Sequence, residues 1–111
     1  YTPEAGWGTA SRLDASDLGD AFAPRVAVSA SGHVIAVWLR HDGSRYDVWS
    51  SSHAPGAGWG RAERVDPAGH GIGPPFEVDV AVDPEGNALA AWRVTDGQIH
   101  GTRHLWSARF E

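Results

Sequence analysis

Apolar and polar positions alternate along most of this chain in short runs, each closed by a cluster of turn-forming residues. Residues 25–28 alternate, 29–33 carry the small polar residues and glycine of a turn, and Val34 to Leu39 is a second apolar run with an aromatic tip. Such β-branched and aromatic runs between Gly, Pro, Asn, Asp and Ser clusters predict strands. The same order returns downstream: strands at 78–82 and 88–92 flank the turn Asp83–Asn87, where Pro84 and Gly86 stand at the positions a tight turn requires. A third strand is expected at 47–52, matched by 104–109, and a fourth at 59–65, matched by 7–13. No stretch has the spacing of an amphipathic helix, so the fold class expected is all-β.

The recurrence is an internal repeat. Gly6 to Asp14 (GWGTASRLD) returns as Gly58 to Asp66 (GWGRAERVD), 52 positions later. Phe22 to Trp38 aligns on Phe76 to Trp92, Asp42 on Asp96, and Trp49 on Trp106. One domain, 1–111, is thus read as two units, about 6–57 and 58–111. A repeat of roughly fifty residues with four strands is the content of a β-propeller blade. Apolar residues at consecutive positions, as at 26–28, fit sheets covered on both sides.

In blade order the chain reads D, A-B-C-D, A-B-C. Two blades cannot close a ring, and an open pair leaves apolar faces in water. The expectation is that Trp7 to Leu13 completes a blade of another copy, by strand exchange between chains. A homo-oligomeric ring follows, six blades from three chains first and eight from four next. The alternative is a two-blade slice of a longer polypeptide.

Composition narrows the function. With 9 basic against 14 acidic residues the net charge is −5, and the basic residues, all Arg, form no run. Nucleic-acid binding needs clustered positive charge and is not expected. No apolar run suffices to span a bilayer. Cysteine and methionine are absent, and the chain opens on Tyr1, so it reads as a mature secreted product, a trimmed chain or a piece of a longer array. A secreted or cell-surface location is the expectation.

Candidate chemistry lies in the loops that differ between repeats, 15–21, 67–75, 40–46 and 94–103, since variable loops on a rigid scaffold carry function. The six Trp form three equivalent pairs. The plain reading is packing between blades. The sharper one is a platform for a sugar face, built by Trp38, Trp92, Trp49 and Trp106 near that rim, with Arg40, Asp42, Arg93 and Asp96 as polar partners. The histidines at 41, 70, 100 and 104 lack strong metal-ligand spacing, and no metal or other cofactor is expected. No nucleophile elbow is present, and Asp42 and Asp96 each precede Gly as in hairpin turns, so the chain reads as a non-enzymatic binding module. A rim-located hydrolase is the further alternative.

The blade pattern, with its VAV run, its Ala-x-Trp, its Asp-Gly and its Gly-Trp-Gly, resembles repeats of bacterial secreted and surface β-propellers. Its two-blade length is similar to that of small oligomeric propeller lectins. The resemblance implies a carbohydrate-binding ring of several copies. It carries over no sugar-binding motif residue by residue.

Overall fold

The computed structural model describes residues 1–14, 19–43, 45–65, 75–95 and 103–110. Among them there is no helix, and the strands lie in two antiparallel sheets. The first holds β1 (Asp20–Val28), β2 (Val34–His41), β3 (Tyr46–Ala54) and two short pieces on the outer edge of β3, β4 (Gly58–Trp59) and β5 (Glu63–Arg64). The second holds β6 (Pro75–Val82), β7 (Ala88–Thr95) and β8 (Arg103–Phe110) in the order 6-7-8.

The two sheets share one register. Val26 opposes Ala36 as Val80 opposes Ala90, and Trp38 opposes Trp49 as Trp92 opposes Trp106. Both first strands are longer than the alternation predicts. Each crosses a register shift near its start, between Phe22 and Arg25 and between Pro75 and Glu77. Ala23 sits in the first of these bulges at φ 52°. An inserted residue breaks the period-two pattern while the strand continues, which is why sequence periodicity stops short there. The expected strand 59–65 is split: the Gly60 N–H donates to the Ser52 carbonyl at 2.7 Å and the Ser51 hydroxyl to the Gly60 carbonyl at 2.9 Å, and pairing resumes at Glu63. Trp7 to Leu13 forms no strand within the chain.

Residues directly opposite one another share a face of the sheet. The first sheet therefore has a Leu39 face (Ala27, Ile35, Val37, Leu39, Val48) and a Trp38 face (Val26, Val28, Ala36, Trp38, Trp49). The second has a Trp92 face (Val78, Val80, Ala88, Ala90, Trp92, Val94) and an Arg93 face (Glu77, Asp79, Leu89, Arg93, Leu105). The core joins the Leu39 face to the Trp92 face, with Val65 and Trp106 packed against it. Trp92 is equivalent to Trp38 and Arg93 to Leu39, so opposite faces of equivalent sheets meet. The radius of gyration, 15.1 Å, exceeds the ~13 Å of a compact domain of this length, as an open pair of sheets would.

The two β-turns joining first to second strands are built alike. The Ser29 and Asp83 amides donate to the His33 and Asn87 carbonyls at 2.8 and 2.9 Å. They also touch: the Ser31 hydroxyl donates to the Pro84 carbonyl. Asp83 organises its turn by accepting from the amides of Glu85 and Asn87 and from the Asn87 side chain, each at 2.9 Å. The Asn87 side-chain bond, reinforced by the backbone amides, holds the Asp83 carboxyl below its ordinary value against an opposing desolvation.

Two outcomes follow. Gly86 lies at φ +90°, and a Cβ there would stand 3.0 Å from the His33 ring. Gly86→Ala is expected to cost about 1–3 kcal/mol by urea denaturation. Because the folded Asp83 pKa lies below its unfolded value, its contribution is complete above about pH 4 and lost as pH falls through the folded value. Asp83→Asn should therefore lower the denaturation midpoint at pH 7, with the difference from the parent shrinking as the carboxyl protonates in acid.

Candidate functional site

Along β2 and β3, alternation decides which of the expected binding residues can meet. Trp38, Arg40 and Trp49 share one face, together with Asp47 and Arg64, through the pairs Trp38–Trp49, Arg40–Asp47 and Trp49–Arg64. The Arg40 guanidinium carbon lies 4.9 Å from the Trp49 ring centroid, a cation–π contact. Asp47 is the anion of the cluster. One of its carboxylate oxygens takes Arg64 and Arg45, each at 2.8 Å, and its side chain is 11% exposed. Arg64, Asp47 and Arg45 were not among the expected site residues. The signal for Arg64 was its place opposite Trp49, visible once the fourth strand is split after Gly60.

The remaining candidates are distributed differently. Trp38 is buried at 5% exposure and Trp49 half-buried. Both stand inside their strands, since β2 runs on to His41 and β3 starts at Tyr46, so neither is at the rim. Trp92 is buried in the core at 4% exposure and Trp106 packs against it. Arg93 follows Trp92 in sequence and therefore points to the opposite face, where it approaches Glu77 at 3.7 Å. The second repeat thus does not reproduce the tryptophan–arginine cluster: its equivalent of Arg40 is Val94, buried in the core. Asp42 shapes the β2–β3 turn, its carboxylate accepting from the Arg45 amide at 2.9 Å. Asp96 lies outside the described residues, as do loop residues 15–18, 66–74 and 96–102 and with them His70 and His100.

The Trp38 face is also rich in buried nitrogens without hydrogen-bond partners. Among the described residues these include Trp38 Nε1, Trp49 Nε1, His53 Nδ1 and Arg64 Nε. An unmet buried donor costs about 1–3 kcal/mol, so this face has more donors than its own chain satisfies. At its outer edge the His53 and Trp59 rings meet edge to face at 5.5 Å, with Trp59 39% exposed. In the segment ahead of β1, Arg12 clasps Asp14 at 2.9 Å. That bond leads in holding the Asp14 carboxyl below its ordinary value, with desolvation opposing and the charge of Arg40 a smaller aid. Among the described residues no three His, Asp or Glu side chains converge on a common point where a metal could sit.

Comparisons with protein families, curated proteins and solved structures found no match to this chain.

Removal of the Asp47 carboxylate leaves the Arg45 and Arg64 guanidinium groups without their anion. Asp47→Ala is expected to destabilise the fold by about 1–3 kcal/mol. Arg45→Ala, which takes only the more exposed partner, should cost under about 1 kcal/mol. Urea titrations of the two variants measure the difference.

Proposed function

We propose that this chain is a non-enzymatic, multivalent binding module: two blades of a β-propeller whose ring is closed by further copies, with carbohydrate as the ligand class. The observation that carries the reading is the packing of the Leu39 face on the Trp92 face. Contact between opposite faces of equivalent units is heterologous, and a heterologous contact repeated with rotation generates a ring. The meander of the first sheet, 1-2-3 with β4 and β5 outermost, supports the blade reading.

Carbohydrate suits a half-buried indole flanked by guanidinium and carboxylate groups, which is what Trp49, Arg40 and Asp47 provide. The indole face stacks on the C–H side of a sugar ring while the charged groups take its hydroxyls. Trp106 is the half-buried counterpart in the second repeat, and Trp38 and Trp92 serve beneath as packing. Several weak sites on one ring would act through avidity. The burial of Trp38 and Trp92 also favours a second reading, a self-assembling scaffold without a ligand of its own.

Light scattering on the eluting protein should give roughly three times 11.8 kDa, or four times for the larger ring. A stable monomer at tens of micromolar would remove the ring. On the assembled species a glycan array should show binding that is weakened at least about tenfold by Trp49→Ala. Silence across broad glycan classes with the assembly intact would leave the scaffold reading in its place.

A further inference from the structure

Resting on the propeller reading above, we infer that the partner of the open second sheet is a second copy of this chain in one defined register: its residues 7–13 pair with the outer edge of β8, and the β1 edge of its Trp38 face, Val26 and Val28, covers the Arg93 face.

The register comes from the first sheet. On the outer edge of β3, His53 pairs with Trp59, Ser50 with Glu63 and Trp49 with Arg64. The equivalents on β8 are fixed by pairing to β7: Trp92 opposes Trp106 and Ala88 opposes Phe110, as Trp38 opposes Trp49 and Val34 opposes His53. The 52-residue repeat makes Trp7, Ser11 and Arg12 the equivalents of Trp59, Glu63 and Arg64. Transferred to β8, the pairs become Phe110 with Trp7, Ser107 with Ser11 and Trp106 with Arg12. Among the described residues nothing pairs with that edge.

The side chains suit the arrangement. Trp7 is 85% and Phe110 43% exposed, and pairing them replaces two solvated aromatic rings with the counterpart of the His53–Trp59 contact. On the two outer faces, Val26 and Val28 of β1 are 63% and 64% exposed on one side, where Ala36, Trp38 and Arg40 are already buried, and Leu89 and Leu105 are 49% and 79% exposed on the other. Leu89 and Leu105 are the equivalents of Ile35 and Val48, both in the intrachain core, so the contact between copies continues one that the chain already makes.

Charge selects the orientation. Within the chain Arg25 borders one cleft with Glu77 and Asp79. Asp79 is the equivalent of Arg25, as Asp79–Ala91 corresponds to Arg25–Val37. Repeating the intrachain step between copies therefore sets Asp79 against Arg25 of the second copy, opposite charges at the innermost strands.

The natural chain contains no cysteine, so an engineered pair reports unambiguously. Ser11 and Ser107 are both exposed. Paired across adjacent strands, their Cα atoms would fall within the roughly 4.4–6.8 Å a disulfide spans. Oxidised Ser11→Cys/Ser107→Cys protein, and independently Trp7→Cys/Phe110→Cys protein, should run as covalent multimers on non-reducing gels. The out-of-register pair Ser11→Cys/Ala108→Cys should remain largely uncrosslinked. Assembly seen by light scattering without in-register crosslinks, or equal crosslinking by the shifted pair, overturns this inference and leaves the ring reading standing. A crosslink confined within single chains overturns it too, since residues 7–13 would then serve their own β8. A monomer throughout overturns both.

Discussion

The contact on which the rest of this structure depends is the burial of the Leu39 face of one sheet against the Trp92 face of the next. Ile35, Val37 and Leu39 interlock with Val78, Ala90 and Trp92 there, and this interface is where the principal core is found. The two repeats use different faces for it, the Leu39 face of the first sheet and the Trp92 face of the second. Val26, Ala27 and Val28 run consecutively, so β1 presents apolar side chains to both faces of its sheet. The consequence is a chain whose best-packed region is flanked by two outer faces on which Val26, Val28, Leu89 and Leu105 stay exposed.

Those two outer faces have diverged from their inner counterparts, and the divergence is informative. Where the Leu39 face has Arg25, Leu39 and Ser52, the Arg93 face has Asp79, Arg93 and Arg109. Its leucines remain, at 89 and 105, while its rim has become charged. The Trp38 face keeps Trp38 and Ala36 buried but carries Arg40 where the Trp92 face has Val94. An apolar centre with a charged border is the composition of surfaces that meet water part of the time or meet a partner of matched charge.

Much of the fold was legible in the residues. The Gly-Trp-Gly and VAV echoes set the repeat, and the tight turns at Ser29–His33 and Asp83–Asn87 were readable because Gly and Pro have few other uses at those positions. What escaped was whatever breaks the period of two. The bulge at Ala23 lengthens β1 beyond the alternating run, and the interruption after Gly60 divides the outer strand into β4 and β5. Neither leaves a compositional mark: Ala is unremarked in a strand, and Gly60 belongs to the very motif used to find the repeat. The candidate site was legible in half. Trp38, Arg40 and Trp49 do meet, since they occupy positions of one parity across paired strands, but Arg93 was grouped with Trp92 by closeness in sequence, which in a strand means opposite faces.

That same parity explains why two near-identical repeats need not carry two identical sites. Moving an arginine by a single position, from 94 to 93 in second-repeat terms, transfers its charge from the side of the tryptophans to the far side of the sheet. The first repeat keeps the cation beside Trp49, anchored through a network centred on Asp47; the second sends it toward Glu77 and leaves Val94 to complete the core. The intrachain interface requires this, because a guanidinium on the Trp92 face would have to be desolvated against Leu39 and Val37 with no anion on that face to receive it. The first repeat tolerates Arg40 because its tryptophan face is not the one pressed into the core. Packing thus decides which repeat is free to hold polar chemistry beside its indoles, and it leaves that freedom to the first.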